Sequence, residues 1–396
     1  MDIVLAYSGG LDTSVMIPWL KEHYSGKVIA MYTDVGQGED VQRVHQKALD
    51  AGADEFVLVP MVDELVTYGL LPLLLSGAKY DGKYLLGTCV ARSMQAAKQV
   101  EVAHAYCCGA VAHGGTAKGN DQIRFEMVYR MLAPELKVIA PWRVWKLYSR
   151  EDAVDYAKQH GIILSENKNR FSEDVNIWNH TYDGDYLEDL SNSPDESIFR
   201  YSGLVQKTEI ICIKYEQGIP VALNGMEMEV KKIIAKLNEV GTMHKIGRAD
   251  IIENRITGLK IRSIYESPGA SILYYAADEL RSLVLDRKTG RFLNNCAQQY
   301  ADLVYDGYFY SRYAEILRNL FYDIMHYATG EISLELGDGT IAVKKRSSKY
   351  SLYNAQEASY QMQKDFCVSS PNGFIDIVGS EMAREYQIHK NKEEQT

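Results

Sequence analysis

Ser8-Gly9-Gly10-Leu11-Asp12-Thr13-Ser14 gathers anion-binding groups directly after the apolar run Ile3-Val4-Leu5-Ala6-Tyr7. Glycines at 9 and 10 let backbone N–H groups approach an anion closely, and the hydroxyls of Ser8, Thr13 and Ser14 add donors. A helix opening at this point turns its positive end toward the same anion. An ordinary glycine turn gives no reason for the Leu-Asp-Thr-Ser that follows. A Walker loop would need Gly-Lys-Ser/Thr, and a dinucleotide fingerprint would need Gly-x-Gly-x-x-Gly; this run contains neither. Its chemistry is phosphate binding by a different loop.

A second run, Ala112-His113-Gly114-Gly115-Thr116-Ala117-Lys118-Gly119-Asn120-Asp121-Gln122-Ile123-Arg124-Phe125-Glu126, is dense in glycine and in groups that grip small charged molecules. Arg124 can fork onto a carboxylate and Lys118 can neutralise phosphate. Thr116, Asn120 and Asp121 can orient amines, amides and carboxylates. His113 either polarises a phosphate oxygen or caps a strand end.

The first run resembles the PP-loop of the N-type ATP pyrophosphatases, in which the loop holds the departing β,γ-phosphates and leaves the α-phosphate open to attack. Asp12 then faces the pyrophosphate and Mg2+ region. With the Gly-Lys-Gly-Asn-Asp-Gln-x-Arg-Phe-Glu run, Tyr84-Leu85-Leu86-Gly87-Thr88, Ala140-Pro141-Trp142-Arg143, Ile252-Glu253-Asn254-Arg255 and Tyr265-Glu266-Ser267-Pro268-Gly269, the chain resembles the argininosuccinate synthases over almost its whole length. The resemblance implies a C–N ligase that joins citrulline and aspartate while ATP becomes AMP and pyrophosphate, in arginine biosynthesis or the urea cycle. It implies ATP contacts at Ala6, Tyr7, Ser8, Gly9, Gly10, Leu11, Asp12, Thr13, Ser14, Thr33 and Gly114. Thr116, Asn120 and Asp121 would hold aspartate. Tyr84, Cys89, Asn120, Arg124, Ser172, Thr181, Glu253 and Tyr265 would hold citrulline. Asp12, Lys118, Asp121 and Arg124 are the expected catalytic residues; no metal ligand comes from the protein itself, and Mg2+ arrives with ATP. A homotetramer tied partly by the C-terminal helix is also implied.

A neutral ureido oxygen is a poor nucleophile and its carbon a poor electrophile. Adenylation of that oxygen turns it into a leaving group, AMP, which the amine of aspartate displaces. No covalent enzyme nucleophile is required, so the protein supplies positioning and electrostatics. The chain departs from the family pattern at Cys89 and Thr181, where serine is usual, and at Asp183, where glutamate is common. Gly115 and Ala117 exchange the usual alanine and glycine, and Thr33 replaces a smaller residue. These departures bear on the citrulline pocket more than on ATP.

Alternating apolar runs and amphipathic stretches must position these groups. Strands are expected at Ile3–Tyr7, Val28–Tyr32, Glu55–Val59, Gly109–Ala112 and Lys137–Pro141. Helices are expected at Thr13–Tyr24, from Glu39 through Ala51, at Cys89–Ala105 and from Ser149 to Gly161. That order implies an α/β fold, a doubly wound parallel-sheet nucleotide-binding domain with its ligands beyond the carboxyl ends of the strands. An α+β synthetase domain and a C-terminal oligomerisation helix follow, with boundaries placed at 1–168, 169–368 and 369–396. The polar stretch Ser165–Pro194 marks the change of domain. Tyr305–Tyr327 is expected as core or subunit interface, Cys107-Cys108 as buried packing at a helix end, and His180 as a solvated loop histidine.

With 396 residues, 46% of them hydrophobic, the chain can build two cores. A net charge of −10 argues against a nucleic-acid footprint and favours small-molecule substrates. Six scattered cysteines without a CxxC pair suggest free thiols in a reducing cytosol. No apolar run approaches the roughly 20 residues of a membrane span, so a cytoplasmic, non-membrane location is expected. Three other readings stand beside the ligase: a related adenylating ligase for a different ureido, amide or carboxyl acceptor, a tRNA-thiolating relative, and a non-catalytic nucleotide sensor. The thiolating enzyme would call for cysteine pairs and a basic surface.

Overall fold

The computed structural model describes residues 1–116, 118–147, 149–162, 171–205, 207–359 and 367–393. Strands β1 (Ile3–Ala6), β2 (Val28–Asp34), β3 (Glu55–Pro60), β4 (Ala110–Ala112) and β5 (Lys137–Ile139) form one sheet in the order β3-β2-β1-β4-β5. Every pair in it is parallel. Successive side chains of a strand point to opposite faces, and here both faces are covered. Ile3, Leu5, Val28, Ala30 and Ala112 pack against Val15, Met16, Trp19 and Leu20 of helix α1 (Leu11–His23). Val4, Ile29, Met31 and Val111 pack against Ala96, Ala97 and Val100 of the helix Gly87–Ala105 and against Phe125 and Val128 of the helix Asp121–Leu132. This is the doubly wound arrangement expected. Strand order reverses between β1 and β4, where ligands of such sheets bind.

Helix ends follow local chemistry. Gly10 precedes α1, so the helix begins at Leu11 rather than at Thr13. Asp40 caps α2 (Val41–Asp50) by accepting from the N–H groups of Gln42 and Arg43. Ser149 and Asp152 form a reciprocal capping box at the head of the helix Arg150–Gln159.

Beyond residue 170 the pairing becomes antiparallel. The strands are β6 (Ser172–Val175), β7 (His180–Asp183), β8 (Glu209–Glu216), β9 (Ile219–Leu223), β10 (Met226–Glu227), β11 (Arg248–Asn254), β12 (Lys260–Glu266), β13 (Gly330–Leu336) and β14 (Ile341–Ser347). They make two sheets, β11-β12-β7-β6 and β10-β9-β8-β13-β14. Leu70, Leu73 and Leu74 from the first half share a core with Leu273, Leu280, Tyr300 and Val304, so both halves belong to one compact unit, Met1–Leu352. A second unit, Tyr353–Thr396, contains the helix Ser370–Glu393. The boundary expected at 168 lies outside the described residues.

Two local expectations change. The stretch around Ser165–Pro194 holds strands β6 and β7, and His180 opens β7, where it stacks on Tyr182 at 4.2 Å and bonds Glu173 at 3.0 Å instead of being solvated. Cys108 is buried, but Cys107 is exposed with φ +53°. In the aromatic stretch expected as core or subunit interface, Tyr305 and Phe309 are core residues and Tyr308 and Tyr313 are exposed on the single chain. No helix among the described residues is long and apolar enough to cross a membrane.

One buried amide ties the site-bearing strands to the helix behind them. Gln99 Nε2 donates to the carbonyls of Val4 and Ala112 at 2.7 and 2.8 Å, and its Oε1 accepts from Tyr129. Substitution Gln99→Leu leaves these buried groups unpaired, and we expect a loss of about 2–4 kcal/mol in urea unfolding. A loss below about 1 kcal/mol would show that the amide does not anchor the strands.

Candidate functional site

The loop after β1 is shaped for an anion. Gly9 has φ +76°, and a Cβ there would lie 3.2 Å from Val44 Cγ1, so the turn requires glycine. The residue before α1 is Gly10, which has no side chain to cap the helix, so the positive end of the helix faces the loop. Ser8 Oγ and Thr13 Oγ1 lie 3.0 Å apart, and Tyr7 Oη and Ser14 Oγ 3.1 Å. These bonds hold the hydroxyls around the loop.

The neighbouring strand, β4, delivers the second loop. His113 is fully buried and accepts from Gly115 N–H at Nδ1, 3.2 Å away. The neutral ring then carries its proton on Nε2, facing Glu126 Oε1 at 3.1 Å. His113 therefore braces the loop as a strand-end cap. Glycine at 115 has a steric reason, because a Cβ would stand 2.8 Å from Gln122 N. Ala117 lies outside the described residues.

A row of ion pairs crosses the cleft. Arg92 Nε bonds Asp121 Oδ2 at 2.9 Å and Arg92 Nη2 bonds Asp174 Oδ1 at 2.8 Å, while Arg124 Nη1 bonds Asp121 Oδ1 at 2.9 Å. Burial opposes ionisation of Asp121, but the flanking Arg92 and Arg124 hold its carboxyl down at about 2. Gln95 continues the row, accepting from Arg92 and donating to Thr33 Oγ1 at 2.5 Å.

The antiparallel sheet β11-β12-β7-β6 supplies the opposite wall through period-two alternation. Ser172 and Asp174, Thr181 and Asp183, Glu253, and Ser263 and Tyr265 all face the cleft, whereas Tyr182 and Ile264 turn away into a small core with Leu187. Tyr265 donates to Glu253 Oε1 and stacks on Tyr84 at 4.4 Å. Tyr305 donates to Glu253 Oε2 at 2.9 Å. Asp174 Oδ2 and Asp183 Oδ1 are buried without a hydrogen-bond partner among the described residues. Burial raises the Asp183 carboxyl to about 6.

Two joined clefts result, of about 470 and 850 Å3, sharing Tyr7, Ser8, Asp12, Thr33, Arg92 and Gln95 on one wall and Ser172, Glu173 and Asp174 on the other. Ala6, Thr13, Tyr84, Gly114, Thr116, Asn120, Asp121, Arg124, Ser172, Thr181, Glu253 and Tyr265 line the first. Gly9, Gly10, Leu11 and Ser14 line the second. Two expected residues line neither. Cys89 is fully buried behind Tyr84, donating to its hydroxyl at 3.4 Å, and burial pushes its thiol up to about 12. Lys118 is exposed, and its carbonyl accepts from Arg255 at 3.4 Å. Arg92, Gln95, Asp174 and Tyr305 were not anticipated. Thr88, Arg92, Gln95 and Gln99 recur at helical spacing on one face of the helix Gly87–Ala105, a polar stripe that was a readable signal.

A phosphate-binding loop, paired guanidiniums and several carboxylates in one cleft suit a nucleotide with small molecules bearing both carboxylate and ammonium groups. Residues 2–163 match the arginosuccinate synthase N-terminal HUP domain, and residues 171–385 match the arginosuccinate synthase C-terminal domain. The argininosuccinate synthase of Caldanaerobacter subterraneus subsp. tengcongensis is 43% identical over 95% of this chain and 93% of its own length. That of Desulfitobacterium hafniense is 43% identical over 95% of each chain. That of Endomicrobium trichonymphae is 40% identical over 98% of this chain and 96% of its own.

The arginine clamp has a titration signature. Asp121 has a folded pKa of about 2 against the ordinary 3.8. Its pairs therefore stabilise the fold fully above pH 3.8, and that contribution is lost as the pH falls toward 2. In Arg92→Met, carboxyl-carbon NMR should find Asp121 titrating nearer 3.8. An unmoved titration would show that Arg92 is not what holds it down.

Proposed function

The chain belongs to the argininosuccinate synthase family, and on that premise we propose that it joins L-citrulline to L-aspartate while cleaving ATP to AMP and pyrophosphate. The observation that carries this reading is the shared cleft in which the phosphate loop Ser8–Ser14 meets Asp121, Arg124 and Glu253.

ATP lies with its phosphates on the N–H groups of the loop and the head of α1, beside Thr33 and Gly114. The ureido oxygen of citrulline forms a bond to the α-phosphorus as the α–β bridge breaks and pyrophosphate leaves. The amine of aspartate then attacks the ureido carbon, the C–O bond to the adenylate breaks, and AMP departs. Mg2+ is proposed to enter with ATP. The phosphate oxygens of ATP are the hard donors that hold it, with the carboxylate of Asp12 facing the same region.

In this reading Arg124, with Tyr84, Asn120, Ser172, Thr181, Glu253 and Tyr265, grips citrulline, and Thr116, Asn120 and Asp121 hold aspartate. A carboxyl with a pKa near 2 is a weak base, so Asp121 orients the aspartate ammonium and leaves the proton to other acceptors. Positioning and fixed charge then account for the protein's contribution. A homotetrameric state, tied partly by the helix Ser370–Glu393 with its apolar Phe374, Ile375, Ile377, Val378 and Met382, and a cytoplasmic location complete the proposal.

Incubation with ATP, aspartate and citrulline should release AMP and pyrophosphate in equal amounts, with none formed when citrulline is omitted; release indifferent to citrulline would sink the reading. Arg124→Lys keeps a charge beside Asp121 but loses the planar fork, and we expect kcat/KM for citrulline to fall about 100-fold. Near-normal activity would remove Arg124 from the site. Light scattering should give four subunits, and a chain ended at Leu352 should give fewer; an unchanged assembly would dismiss the helix as its tie.

A further inference from the structure

Tyr305 is the last residue of the 19-residue helix Arg287–Tyr305. The last carbonyls of a helix have no intrahelical partner and carry the negative end of its dipole. The carbonyl of Tyr305 accepts from Arg124 Nε at 3.1 Å, and the guanidinium lies 4.9 Å from the centre of the Tyr305 ring. The chain then turns at Gly307, where φ is +87° and a Cβ would stand 3.2 Å from Arg124 Cα. Helix end, ring and turn together seat one side chain, Arg124.

The phenol of the same residue joins two more. Asn120 Oδ1 accepts from Ile256 N–H at 3.2 Å, which orients the amide so that Nδ2 donates to Tyr305 Oη at 2.9 Å. Tyr305 Oη must then pass its own proton outward, to Glu253 Oε2 at 2.9 Å. Glu253 thus accepts from two phenols, those of Tyr265 and Tyr305. Any further partner for Glu253 must be a donor, and an ammonium suits it while a second carboxylate does not. A tyrosine packed only as core needs one partner for its hydroxyl. This one links three side chains that line the cleft, although it does not line the cleft itself.

We propose that Tyr305 is a positioning residue of the acceptor pocket, which holds Arg124, Asn120 and Glu253 in one register so that the pocket selects an acceptor bearing an α-ammonium beside its carboxylate. The proposal rests on the ligase reading above. Its action is indirect, through the three residues it holds.

The test compares kcat/KM for citrulline with that for its des-amino analogue, 5-ureidopentanoate, in the wild-type enzyme and in Tyr305→Phe. The variant keeps the ring beneath Arg124 and loses only the hydroxyl. We expect the KM for citrulline to rise about 10–100-fold, kcat and the KM for ATP to change less than about threefold, and the preference for citrulline over the analogue to shrink about tenfold. Tyr80→Phe is the control, because Tyr80 stacks on Tyr305 at 3.5 Å while its hydroxyl, among the described residues, bonds only the carbonyl of Asn254; it should leave all three values within about twofold. An undiminished preference in Tyr305→Phe, or an equal loss in Tyr80→Phe, overturns the proposal. Should the wild-type enzyme turn over a different acceptor, the ligase reading falls, and the same comparison with that acceptor and its des-amino form decides the role of Tyr305.

Discussion

A carboxylate fixed between two guanidiniums sets the terms for the rest of this cleft. Asp121 is paired with Arg92 on one side and Arg124 on the other, and removing either cation would leave a half-buried charge with one partner in place of two. The pairs also restrict what each arginine can do for a ligand. Arg92 is occupied by Asp121, Asp174 and Gln95. Arg124 commits Nε to Tyr305 and Nη1 to Asp121, and Nη2 makes no hydrogen bond among the described residues. Arg124 is therefore the guanidinium with an edge left for a carboxylate, whereas Arg92 stiffens the frame.

The fold brings these charges together by topology more than by sequence proximity. Crossover connections in a parallel sheet place every β-to-α loop at the same end, and the reversal between β1 and β4 sets the phosphate loop beside the loop of Asp121. The facing wall comes from an antiparallel sheet, where alternation alone aligns Ser172, Asp174, Thr181 and Asp183 on one face. Asp174 meets Thr181 and Tyr265 meets Thr181 in the strand register. A one-residue slip in β7 would send Thr181 and Asp183 away from the cleft and bring Tyr182 into it.

What was legible from sequence follows from this division. The phosphate loop and the Gly-rich run are contiguous, so their chemistry and spacing could be seen in a row of letters, and the strands behind them were apolar runs of the right length. The helix stripe Thr88, Arg92, Gln95 and Gln99 was visible in principle, because its period is local. Tyr305 was not. It sits 185 residues from Asn120 and 52 from Glu253, within an aromatic stretch whose composition matches ordinary core, and only the tertiary path of its helix reveals what its hydroxyl and carbonyl touch. Strands β6 and β7 were hidden for a related reason: one of their faces lines a polar cleft, so their letters resemble a loop.

Cys89 shows how a correct reading of residue type can be changed by depth. As a substitute for serine it pointed to a change within the citrulline pocket. The side chain instead lies behind Tyr84, with its thiol kept neutral by burial and donating to the Tyr84 hydroxyl. A neutral thiol is a weaker donor than a hydroxyl and a better apolar filler. It reaches the cleft through Tyr84, which stacks on Tyr265, which in turn donates to the carboxylate of Glu253. The same carboxylate is reached from the other side by Tyr305. Two tyrosine chains of different origin thus converge on Glu253, and the departure at position 89 lies at the start of one of them.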